Sequence, residues 1–144
     1  RKKMNFIDAN VIIKAFTGNE DKEKCRAILY EDFVTNTLCL VEAQHSISTI
    51  KNNKAYAANC IKSLFKSNGV IVQLDKNLLF ESFKIQGILK PRKSTISAGF
   101  KRIEKYSLNI FDLINYVTAL VNNCSHFVSY DGHFDDLEIK RIEP

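Results

Sequence analysis

Short apolar runs alternate with longer stretches of helical spacing along the whole chain. Residues 4–8 read as a brief buried strand, and residues 10–16 as a helix that Thr17-Gly18-Asn19 breaks. A second helix is predicted over about 21–30, with acids in its first turn and Cys25, Ile28 and Leu29 on its buried side. A brief strand follows at 33–35. Asn36 or Thr37 then caps a helix to about residue 50. After the Asn52-Asn53 turn, residues 55–66 place Ala58, Ile61, Leu64 and Phe65 on one side of a helix. The run Val70-Ile71-Val72-Gln73-Leu74 is the clearest strand, and its β-branched continuity suits a parallel strand covered on both faces. A helix over about 77–89 is stopped by Pro91, and Ser97 caps a short helix to about residue 106. Helical spacing returns in Ile110, Ile114, Val117 and Val121, before strands at 127–130 and 139–142.

Strands separated by helices are too far apart for hairpins, so the pattern predicts an α/β fold. The expected architecture is a three-layer α/β/α sandwich around a parallel sheet. No repeat, linker or low-complexity segment interrupts it, and residues 1–144 are expected to form one domain. Hydrophobic residues at 45% and charged residues at 26% exclude a disordered chain. No apolar run reaches the length of a membrane span, and the Arg1-Lys2-Lys3 start leads into a strand, so a cytoplasmic protein with no membrane role is expected. Cys25, Cys39, Cys60 and Cys124 form no C-x-x-C pair and are expected as buried reduced thiols. A net charge of +5 suits a phosphate-rich partner without specifying one.

Four acids change the picture. Asp8 closes Met4-Asn5-Phe6-Ile7, Glu42 follows Leu38-Cys39-Leu40-Val41, Asp112 lies within Ile110-Phe111-Asp112-Leu113-Ile114, and Asp131 follows Phe127-Val128-Ser129-Tyr130. Apolar flanks draw each towards the interior, where a lone ionised carboxylate is costly. A hard divalent cation removes that penalty if several acids share it. Asp8 and Asp131 end strand patterns, and in open parallel sheets ligands bind beyond the carboxyl ends of the strands. Asp112 occupies a helix first turn, with Asn115 on the same face as a supporting residue. Taken singly, the acids are explained as helix caps, first-turn acids, a turn residue and a helix-surface residue; as a set they predict one acidic rim. Such a rim, holding Mg²⁺ or Mn²⁺, polarises a phosphodiester and lowers the pKa of a bound water, with no Ser or Cys nucleophile. The chain has no G-x-x-x-x-G-K-[ST] loop, which disfavours NTP hydrolysis.

These residues resemble the PIN domains, and especially the VapC-type ribonucleases of prokaryotic toxin–antitoxin pairs. Asn5-Phe6-Ile7-Asp8-Ala9-Asn10-Val11-Ile12 is similar to the family's opening motif. Val41-Glu42-Ala43 is similar to its second-acid helix, and Ile110-Phe111-Asp112-Leu113-Ile114-Asn115 to its third motif. Val128-Ser129-Tyr130-Asp131-Gly132-His133-Phe134-Asp135 resembles the final one, and Ile142-Glu143-Pro144 the terminal strand. The resemblance implies a five-stranded parallel sheet, with Asp8, Asp112 and Asp131 as metal ligands and Glu42 completing the catalytic pocket. It also implies that Ser129 supports the metal through its hydroxyl or a water, that Mg²⁺ or Mn²⁺ is the cofactor, and that RNA is the substrate. Homodimers and a small inhibiting antitoxin are implied as partners. Ala9 departs from the Ser or Thr often found there, and His133 stands where many members carry another acid.

Lys90, Arg92, Lys93, Lys101, Arg102 and Lys105 face a single acid, Glu104, over residues 90–105. This stretch is either an RNA-backbone contact or a solvated face. Two other functional classes stay open. A PIN scaffold, catalytically weak or inactive, would bind RNA or a protein without cutting. A phosphoacceptor receiver domain would need an acid pair after the first strand, which Asp8 lacks.

Overall fold

The computed structural model describes residues 3–86 and 108–144. The elements run β1 (Asn5–Ile7), α1 (Ala9–Ala15), α2 (Lys22–Leu29), β2 (Phe33–Asn36), α3 (Thr37–Lys51), α4 (Lys54–Leu64), β3 (Gly69–Val72) and α5 (Lys76–Ile85). After residue 107 come α6 (Ile110–Val121), β4 (His126–Val128), a one-turn 3-10 helix (Gly132–Phe134) and β5 (Lys140–Ile142). All strand pairings are parallel, and the sheet order is β3-β2-β1-β4-β5. The predicted α/β fold with a five-stranded parallel sheet is therefore what the chain adopts.

Period-two alternation in the strands feeds two cores. Phe6, Val34 and Phe127 face one side of the sheet, where Leu78 and Ile85 of α5 and Leu113, Tyr116 and Val117 of α6 cover them. Phe127 stacks on Phe6 at 4.9 Å and on Phe134 at 4.2 Å between ring centres. Ile7, Phe33 and Val128 face the other side and pack against α1, α2, α3 and α4 through Val11, Cys25, Ile47 and Ile61 among others. The four cysteines are buried and free, as their apolar settings predict.

β3 departs from expectation. Its β-branched run predicted a strand covered on both faces, yet it is an edge strand whose Val70 is 45% exposed, and Gln73 and Leu74 lie beyond its end. The central, doubly covered strands are β1, β2 and β4, of three or four residues each. Strand shortness hid their centrality, because a three-residue run carries too little pattern to outrank a longer edge. The helix predicted over 97–106 and the end of the one predicted over 77–89 lie outside the described residues.

The chain builds β1, β2 and β3 outward in one direction and then β4 and β5 outward in the other. Connections therefore diverge between β1 and β4, and an open α/β sheet leaves a crevice at the carboxyl ends of such a pair.

Candidate active site

Asp8 follows β1 at that crevice and is buried, at 7% exposure. Its N–H still donates to the Val128 carbonyl of β4 at 3.0 Å, so the sheet fixes its main chain. Its side chain caps α1, with Oδ1 accepting from Ala9 N–H at 2.8 Å. The Ser129 hydroxyl donates to Oδ2 at 2.8 Å, and Asn115 Nδ2 approaches Oδ1 at 3.5 Å. Capping and membership of an acidic cluster coexist in this residue.

Ser129 is buried just beyond β4. Its Oγ accepts from Asn10 Nδ2 at 3.0 Å and from Asp131 N–H at 3.0 Å while donating to Asp8. One donor and two acceptor positions exhaust a hydroxyl. Ser129 thus orients the Asp8 carboxylate. Asn10 also accepts from Tyr130 N–H at 3.2 Å, locking the start of α1 to the chain leaving β4. Arg141 Nη1 donates to the Ser129 carbonyl at 2.9 Å and is itself held by Asp135 and Glu143. Asp135 is therefore engaged with Arg141.

Asp131 caps the 3-10 turn by accepting from His133 N–H at 2.9 Å. Asp112 stands in the first turn of α6, whose N-cap Asn109 accepts the Asp112 N–H at 2.8 Å. Glu42 reaches the same rim, half-buried, from α3. The end of that helix is set by Asn36, which accepts Cys39 N–H at 2.8 Å and donates from Nδ2 to Asn115 at 2.9 Å and to Thr118 at 3.0 Å. Cys39 Sγ lies 3.3 Å from Asn115 Oδ1, so Asn115 links α6 and α3 and also reaches Asp8.

The electrostatics bind the four acids together. Burial raises the pKa of Asp8; the Ser129 and Ala9 hydrogen bonds pull it back, and the Asp131 charge raises it further. Burial raises Glu42, followed by the charges of Asp8 and Asp112. Asp112 is pushed from 3.8 to about 6 by burial and then by Asp131 and Asp8, with His133 acting in the opposite sense. Among the described residues, no lysine or arginine is paired with any of the four, and His133 is the one basic partner, with Nδ1 3.0 Å from Asp131 Oδ1. One oxygen each of Asp112 and Asp131 and a ring nitrogen of His133 lie within 4.8 Å of one another. Oxygen donors gathered without an internal cation fit a divalent ion in their chemistry.

The structure thus brings Asp8, Glu42, Asp112, Asp131, Ser129 and Asn115 to one rim. Lys90, Arg92, Lys93, Lys101, Arg102 and Lys105 lie outside the described residues. Asn10, Asn36 and Cys39 went unassigned from sequence. Asn10 stands inside the opening motif and Asn36 at a predicted cap, but only the fold shows the long-range partners.

A solved structure, that of VapC20 from Mycobacterium tuberculosis, described as a sarcin-ricin loop cleaving toxin, superposes with a TM-score of 0.71 at 10% identity. The match covers 97% of this chain and 99% of that one. No curated protein matches the sequence. Residues 6–140 match the PIN domain family, a span from within the first strand to the start of the last, and the chain belongs to that family.

Proposed function

We propose that this PIN domain is a ribonuclease that hydrolyses RNA phosphodiester bonds with the help of Mg²⁺ or Mn²⁺ at its acidic rim. The observation that carries the reading is the gathering of Asp8, Glu42, Asp112 and Asp131 on one rim, where burial and neighbouring carboxylates raise the first three, without a lysine or arginine partner among the described residues. Asp8, Asp112 and Asp131 would hold the ion, with Glu42 completing the pocket. When bound, such an ion activates water at neutral pH and stabilises charge on the phosphate.

The chain's own residues supply position. Ser129 and the Ala9 N–H fix the Asp8 carboxylate on both oxygens. Asn115 ties α6, and so Asp112, to the same frame. Hard walls on both sheet faces keep these groups in register, which matters because a misplacement of about 1 Å can cost about 10²-fold in rate. The likeness to VapC20, a sarcin-ricin loop cleaving toxin, supports RNA as the substrate class and a toxin role, and the motif resemblance adds a small antitoxin as partner. A homodimer, a one-domain chain and a cytoplasmic location belong to the same proposal. No helix among the described residues is long and apolar enough to cross a membrane.

The test is cleavage of a structured RNA by the purified chain, with EDTA and then Mn²⁺ or Mg²⁺. Asp8→Asn and Asp112→Asn are each expected to abolish metal-dependent cleavage. RNA binding with no cleavage by the wild type under any ion would favour the scaffold reading.

A further inference from the structure

The rim carries a nitrogen as well as oxygens. His133 follows Asp131 by two residues on the 3-10 turn, and both its N–H and its Nδ1 lie against the same oxygen, Asp131 Oδ1, at 2.9 and 3.0 Å. The turn therefore fixes the imidazole relative to the carboxylate. A spacing of about 3 Å is that of two adjacent ligands on one octahedral ion with bonds of about 2.1 Å. An Asp112 oxygen completes the group within 4.8 Å, from a different element. The His133 side chain is 77% accessible, and Nε2 has no partner among the described residues, so the ring's one internal contact is with a rim carboxylate.

We infer that His133 is a metal ligand and that the rim selects a first-row transition ion, Mn²⁺ serving as the probe, over Mg²⁺. The inference rests on the reading of the rim as a divalent-ion site and adds its ligand set. Mg²⁺ prefers oxygen donors and dehydrates reluctantly, whereas imidazole nitrogen binds transition ions in the Irving–Williams order. A ring nitrogen in place of a carboxylate adds affinity for Mn²⁺ or Co²⁺ and little for Mg²⁺. It also removes one negative charge from the set, which weakens Mg²⁺ most because Mg²⁺ relies on charge alone. The rival arrangement is a protonated ring that merely pairs with Asp131. It predicts the opposite response, since deleting a competing cation strengthens the binding of every metal.

The experiment uses the full chain and three proteins: wild type, His133→Ala and His133→Asp. MnCl₂ and MgCl₂ are titrated calorimetrically, and pulsed electron paramagnetic resonance of the Mn²⁺-loaded proteins reads any directly bonded nitrogen. His133→Ala is expected to weaken Mn²⁺ by about tenfold or more and to change Mg²⁺ by less than about threefold. His133→Asp is expected to tighten Mg²⁺ and narrow the Mn²⁺/Mg²⁺ ratio. Nitrogen coupling is expected in the wild type and in neither variant. Unchanged or tighter Mn²⁺ binding by His133→Ala, or no nitrogen coupling in the wild type, overturns the ligand assignment alone. Failure of the wild type to bind either ion overturns both this inference and the divalent-ion nuclease. The side chain is exposed and lies outside both cores, so the variants are expected to fold, and a circular dichroism melt checks it.

Discussion

Ser129 shows how a single hydroxyl governs the site. It receives two N–H groups, from Asn10 and from the Asp131 main chain, and this leaves its proton directed at Asp8. Removing the oxygen orphans both half-buried donors and frees the carboxylate that they indirectly aim. Ser129→Ala is expected to lower RNA cleavage by about ten- to a hundredfold, the range seen when groups that orient metal ligands are lost. It should also weaken Mn²⁺ in a calorimetric titration. Because the Ser129 bond lowers the Asp8 pKa, its loss raises that pKa, and the acid limb of the pH–rate profile should move to higher pH. Ser129→Thr keeps the hydroxyl and should restore most of the activity. A Thr variant as impaired as the Ala variant would show that packing volume, rather than the hydroxyl, is what matters there.

Elements hold these residues in place through contacts that no local pattern announces. Gly69, the first residue of β3, is paired with Phe33, and a Cβ built on it would lie 2.2 Å from Phe33 Cζ, with two further ring atoms inside 3 Å. Phe33 is fully buried, so its ring cannot swing clear without displacing the core. Gly69→Ala is therefore expected to destabilise by about 1–3 kcal/mol in urea unfolding. Adding Phe33→Leu should give a total loss smaller than the sum of the two single losses, because both act at one contact. At the start of α3, Asn36→Ala removes an N-cap worth about 1–2 kcal/mol and also strips Asn115 and Thr118 of a donor. Asn36→Ser should recover the cap, seen in the melting temperature, but not full cleavage, since serine cannot span to Asn115. Equal recovery of both would mean that the α3–α6 bridge has no part in the site. The same contacts mark the limit of what the sequence discloses. Asp8, Glu42, Asp112 and Asp131 were legible because a charge inside an apolar run is chemically anomalous wherever it falls. Asn10 and Asn36 are ordinary cap and first-turn residues whose partners lie far along the chain, so their place in the site exists only once the sheet brings β1, β2 and β4 together. β3 misled because β-branched composition reports strand preference, whereas edge or centre is decided by topology.

For the molecule as a whole, the rim sets folding against function. The chain is cationic overall, with 21 Lys and Arg against 16 Asp and Glu, yet four of those acids are gathered on one rim. Asp112 has a carboxyl pKa of about 6 in the folded state against 3.8 in the open chain. The folded state therefore binds a proton that the unfolded chain has already released in the interval between these values. Its contribution to stability is fully present below the unfolded pKa and is lost as pH rises through about 6. Asp8 and Glu42, also raised, act in the same direction. Without a divalent ion, the melting temperature of the wild type should then fall, relative to Asp112→Asn, between about pH 4 and about pH 6.5. Comparison with the variant cancels the acids outside the rim, including those whose ion pairs stabilise at higher pH. At neutral pH, ion-free Asp112→Asn should be the more stable protein by a few degrees, although inactive. Mn²⁺ binds the ionised carboxylates and is in competition with the protons, so it should raise the wild-type melting temperature by an amount that grows across the same pH interval and should raise that of the variant much less. Parallel wild-type and variant melting curves across pH, or an equal Mn²⁺ shift in both, would show that Asp112 is solvated as an ordinary first-turn acid and carries no share of the rim's charge.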